Sequence, residues 1–144
     1  MKRIFFALGA TITVCLITAA GQAQGQGLEL RIHVPFAFTV ESTTFSAGEY
    51  EITEPAHMIL ELRNVKDQAA AFQHVQPARS RMEADGRVRL LFHHYGHEYF
   101  LATVSDGTSS STYDCPESNE EKRLGDAGPN AQLKLVTALS AGKP

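Results

Sequence analysis

The chain has 144 residues, 43% of them hydrophobic and 20% charged, with 6 Pro, 2 Cys and a formal net charge of -3. That describes one small globular domain: it is too short for a multidomain assembly, too poor in Gly and Cys for a collagen or a disulfide scaffold, and too apolar for a wholly disordered chain. With 13 Lys and Arg against 16 Asp and Glu there is no basic excess to neutralise phosphates, so nucleic acid is not an expected partner.

The first element in chain order is a targeting signal. Met1-Lys2-Arg3 is basic, and residues 4 to 20 are apolar or small without one charge, which is the pattern of a secretory signal peptide. Two frames obey the small-x-small rule, Thr18-Ala19-Ala20 before Gly21 and Gly21-Gln22-Ala23 before Gln24; the second is preferred, giving a signal peptide over residues 1–23 and a single β domain over 24–144. The apolar stretch is short for a span, so no transmembrane segment is expected after cleavage. Cys15 lies inside the apolar stretch rather than just after it, which argues against a lipid anchor. Removing the signal takes Lys2 and Arg3 with it and leaves 11 basic against 16 acidic side chains, a net charge of -5. Only Cys115 then remains, so the exported chain reaches a periplasmic or extracellular compartment without an intrachain disulfide and depends on an apolar core.

The exported part reads as strands. From residue 28 to residue 40 every even position is apolar (Leu28, Leu30, Ile32, Val34, Phe36, Phe38, Val40), the period of a half-buried strand. Pro35 falls on the outward parity and cannot donate to a ladder, which marks an edge strand or two strands joined at a bend. Ser42-Thr43-Thr44 reads as a turn, with Gly48 as a further turn residue leading into an alternating strand over 49–53. Met58, Leu60 and Leu62 give the next strand, Asn64 to Gln68 a turn, and residues 70–75 a weaker strand that Pro77 ends. A polar connection closes on Asp85-Gly86. The strongest hairpin follows, residues 87–94 and 98–104 around Tyr95-Gly96; a two-residue loop would pair His94 with His97 and Phe92 with Tyr99, and a three-residue loop with Gly96 left-handed would shift the register by one. A flexible Ser-rich connection is expected over 105–115, a short helix over 116–124 with Pro116 in its first turn and Gly125 as its stop, and a last strand over 132–139. About seven short strands with polar turns predict an all-β fold, an antiparallel sandwich or a small barrel, with one short helix near the C-terminus.

The strings Val34-Pro35-Phe36-Ala37-Phe38-Thr39-Val40, Phe45-Ser46-Ala47-Gly48-Glu49-Tyr50, Leu91-Phe92-His93-His94-Tyr95-Gly96 and Tyr99-Phe100-Leu101, in that order, resemble a family of small exported, uncharacterised β-rich proteins of soil acidobacteria. The likeness spans about half of the exported chain. It departs from the family's pattern at Ala37, where members carry an acid, and at His97, where they carry an acid or an amide. The resemblance implies a secreted or periplasmic β domain and carries no catalytic residue over.

Candidate chemistry is sparse. His93, His94 and His97 with Glu98 form the densest ligand cluster, of the donor types zinc or copper takes, and His93, His94 and His97 are the metal candidates. Strand alternation splits them, placing His94 with His97 on one face and His93 with Glu98 on the other, so a closed site needs a further ligand from His33, His57 or His74. The bland reading, exposed turn histidines, needs none. Cys115 precedes the expected helix, where the dipole would lower a thiol pKa, making a reactive thiol or an intermolecular disulfide conceivable. The chain has no Gly-x-Ser-x-Gly elbow, phosphate-binding Gly loop, His-Glu-x-x-His or Cys-x-x-Cys. Arg79, Arg81, Arg87 and Arg89 form the one basic patch, read as a solvated face or a charge-protected sheet edge. The expected function is therefore a non-enzymatic binding or structural module without catalytic residues or cofactor. The alternatives are a lipocalin-like carrier, with Phe36, Phe38, Tyr50, Phe92, Tyr99 and Phe100 lining a cavity, and a metal-binding protein using the hairpin histidines.

Overall fold

The structure, a computed structural model, describes residues 27–79, 82–108, 111–128 and 131–139. The expected signal peptide with both cleavage frames, Arg81, and Ser109 with Ser110 in the Ser-rich connection lie outside the described residues.

Among the described residues eleven strands and one helix follow one another: β1 (Glu29–Val34), β2 (Phe38–Val40), β3 (Thr43–Phe45), β4 (Gly48–Ala56), β5 (Ile59–Asn64), β6 (Ala70–His74), β7 (Gln76–Pro77), β8 (Arg87–Tyr95), β9 (Glu98–Ser105), β10 (Thr112–Asp114), α1 (Asn119–Ala127) and β11 (Gln132–Leu139). The chain is all-β with one short helix, in two curled sheets that face each other like a sandwich. The first sheet has the order β1-β4-β5-β6, and the second β11-β8-β9-β10-β7, with β2 bridging to β9 in parallel and β3 pairing β2.

Period-two alternation decides which face each strand buries, because a one-residue slip would exchange core and solvent faces. In β1, Leu30, Ile32 and Val34 are buried while Glu29, Arg31 and His33 are exposed. The strand breaks after Val34, so Pro35 falls in the bend between β1 and β2, where its missing donor interrupts no ladder, and β1 lies at the edge of its sheet. Tyr50 and Ile52 of β4, with Leu60 and Leu62 of β5, complete the inner face of the first sheet. Val88, Leu90 and Phe92 of β8, with Phe38, Val40 and Phe45, oppose them from the second. Phe38 lies at the centre, its ring 5.0 Å from Tyr50, 5.3 Å from Phe92 and 5.6 Å from Phe45.

Five local expectations are corrected. The turn after β2 is Glu41-Ser42, with Glu41 in the left-handed region at φ 55, and Thr43 and Thr44 belong to β3. Gly48 opens β4 opposite Val34 and is not a turn residue. The hairpin loop is Gly96-His97, one residue further on than expected, with Gly96 at φ 64 and Tyr95 opposite Glu98. That loop sets Phe92 opposite Leu101, and a bulge between Leu91 and Phe92 then sets Leu90 opposite Val104. The helix starts and ends three residues later than expected. Ser118 caps it by accepting from the Glu121 amide at 3.1 Å, a Ser-x-x-Glu start that outranks Pro116 as the signal. It runs through Gly125 to Ala127. Within the Ser-rich stretch, Thr112–Asp114 forms β10 and pairs both β9 and β7.

Candidate functional site

The hairpin of β8 and β9 distributes its histidines as alternation dictates. His94 lies on the same side as the buried Phe92, stacked on Tyr99 at 5.2 Å, and its Nδ1 is buried without a hydrogen-bond partner. His97 sits exposed in the loop. His93 points to the outer face of the second sheet, opposite Phe100 and not beside Glu98.

On that outer face the helix closes over the hairpin. Glu121, in the first turn of α1, is only 3% exposed and places Oε1 2.5 Å from His93 Nδ1. Glu117, just ahead of the helix and four residues before Glu121, is exposed. One ligand atom each from His93, Glu117 and Glu121 falls within 4.8 Å of the others, and this is the one metal-capable group of three among the described residues. The Glu121 carboxylate, followed by the charges of Glu117 and Asp114, holds the His93 imidazole above its usual pKa, with partial burial opposing. Tyr95, from the end of β8, is pushed up by burial and then by the neighbouring charges of Glu121 and Glu117. Thus His93 is brought together with two glutamates rather than with His94 or His97. Neither Glu117 nor Glu121 is among the metal candidates read from the sequence, because their meeting with His93 depends on how α1 and the residues ahead of its cap dock on the hairpin.

Cys115 is buried against the core, and burial pushes its thiol up, the reverse of the activation expected from a helix start that actually lies four residues further on. It forms no disulfide within the chain. A bridge to a second chain would first have to expose it. The arginine patch is engaged locally: Arg89 donates to Asp85 Oδ2 at 2.5 Å and to the Glu83 carbonyl at 2.7 Å. Because β8 is interior to its sheet, Arg87 and Arg89 do not guard an edge. At one edge of the first sheet an open recess of about 680 Å³ is bordered by His33, Glu49, Val65, Lys66 and Asp67, with His33 Nδ1 3.0 Å from Glu49 Oε1. No helix among the described residues is long and apolar enough to cross a membrane.

Comparison with protein-family models, with curated proteins and with solved structures finds no match for this chain.

Proposed function

We propose that this chain is an exported, non-enzymatic β domain that acts from its outer surface as a binding or structural module, in the periplasm or outside the cell. The observation that carries this reading is the mutual contact of the inward aromatics. Phe36 lies 5.1 Å from Phe92 and 4.2 Å from Tyr99, and Phe38 touches Phe45, Tyr50 and Phe92. Rings from both sheets thus fill space that a carried ligand would need, which supports a surface-acting module over a lipocalin-like carrier. Phe100, the remaining aromatic of the carrier reading, is turned instead toward Tyr95, at 6.0 Å. Export is supported by the basic, apolar and small-residue order of residues 1–23 and by the resemblance to small exported β proteins. Apolar contact surface exists at sheet edges, where Leu133 and Leu135 of β11 are 63% and 52% exposed and Phe72 of β6 is 60% exposed.

Two measurements test this reading. N-terminal sequencing of protein recovered from the exported fraction of a bacterial host should begin at Gln24 or Gly21; retention of the full chain in the cytoplasm would overturn export. Titration with a fluorescent fatty acid should show no saturable binding tighter than about 10 μM. One-to-one binding in that range would replace the module with the carrier.

A further inference from the structure

We propose that His93, Glu117 and Glu121 form a binding site for one divalent transition cation of the zinc class, which fastens α1 to the outer face of the β8–β9 hairpin. The site is independent of the surface-module reading and stands on geometry. An imidazole and two carboxylates, from β8, from the residue ahead of the helix cap and from the first helical turn, offer ligand atoms that all lie within 4.8 Å of one another. Around a tetrahedral zinc ion with bonds of 2.0–2.2 Å, ligand atoms sit about 3.3 Å apart. His93 and Glu121, at 2.5 Å, would therefore separate by under about 1 Å, and Glu117, exposed and free to turn, would close inward.

Charge and burial favour a cation there. A neutral imidazole with two carboxylates carries two negative charges, which a divalent ion cancels, and Asp114 adds a third negative group nearby. Glu121 is only 3% exposed, so its carboxylate is held within the packed corner rather than in open solvent. The positive end of α1 opposes a cation, but Glu120 in the first turn offsets that dipole. Three protein ligands leave the fourth position to water. One nitrogen and two oxygens suit zinc or its first-row neighbours, whereas calcium demands six to eight oxygens that this corner does not supply.

Isothermal titration of the untagged protein with zinc chloride, and with calcium chloride as the control, tests the site. The expected result is one zinc per chain with Kd of about 10 μM or tighter and no measurable calcium binding. Glu117→Gln, a change at an exposed residue that leaves the core untouched, should weaken zinc at least fivefold, while His97→Ala should leave the affinity unchanged. Thermal melting should show zinc raising the Tm of the wild-type protein more than that of Glu117→Gln. Zinc binding weaker than about 100 μM overturns the proposal. So does a loss under fivefold in Glu117→Gln, or binding that disappears in His97→Ala.

Discussion

Tyr113 shows how single side chains tie the two sheets together at their rim. Its hydroxyl, on β10, donates to Glu54 Oε2 on β4 at 2.9 Å, and Glu54 Oε1 accepts from the Met58 amide at 3.1 Å, which steadies a turn where Met58 adopts φ 59. Burial, then the neighbouring Glu54 carboxylate, pushes the Tyr113 phenol up to about 12 from its ordinary 10.0. A raised folded-state pKa means that the neutral phenol stabilises the fold, so this contribution is fully present below pH 10 and is lost as pH rises toward 12. The stability difference between wild type and Tyr113→Phe, from urea melts between pH 8 and pH 12, should therefore shrink across the upper two units; a difference independent of pH would show that the phenol does not bridge the sheets. Asn64 works similarly at a turn: it is buried, and its Oδ1 accepts from the Lys66 amide at 2.8 Å and the Asp67 amide at 3.3 Å. The asparagine turn was legible in the sequence. Tyr113–Glu54 was not, because 59 residues separate the partners and only the folded topology brings them together.

At the scale of elements, turns and caps decide what periodicity leaves open. Gly107 has φ 80, and a Cβ there would lie 2.4 Å from the Arg87 amide nitrogen and 2.5 Å from its carbonyl oxygen, so neither the conformation nor the space admits a side chain. Gly107→Ala should cost about 3 kcal/mol in chemical denaturation, at the upper end for one substitution, because the obstructing atoms are backbone and must move. Gly96 also has a positive φ, 64, but meets nothing within 4 Å, so Gly96→Ala should cost only about 1–2 kcal/mol. Equal costs for the two would refute the close approach at Arg87. Strand identity was readable because alternation is a direct imprint of one buried face, and β11 was placed at its observed bounds over 132–139. The helix was misplaced because Pro116 and Gly125 are generic punctuation, whereas the cap of Ser118 on Glu121 fixes the actual start. Gly125 continues the helix beside Tyr95, where a Cβ would meet the ring and hydroxyl at 3.7 Å. The hairpin register slipped for a comparable reason: the loop is Gly96-His97 and not Tyr95-Gly96, and the bulge between Leu91 and Phe92 adds a further shift that no alternation rule announces.

For the whole molecule, the two-sheet core follows from parity, but its interior had to be seen. Whether Phe36, Phe38, Tyr50, Phe92 and Tyr99 line a hollow or fill it depends on side-chain directions across the sheets, and the ring contacts place them against one another. With no disulfide among the described residues, these contacts carry the stability. Phe38→Ala should cost about 3–5 kcal/mol, a large share of the 5–15 kcal/mol typical of a domain, and thermal unfolding would report it. The candidate metal ligands were legible only in part: His93 stood out in a histidine-rich turn, but its partners come from α1 and from the residue ahead of its cap, whose docking depends on the outer face of a hairpin read in another register. The most direct measurement of a filled, surface-acting domain is xenon titration followed through the methyl resonances of Ile32, Ile52 and Leu90, since an apolar cavity takes up xenon. The account predicts no saturable shift in these core methyls. A saturable shift centred on them would reveal a hollow between the sheets and contradict it.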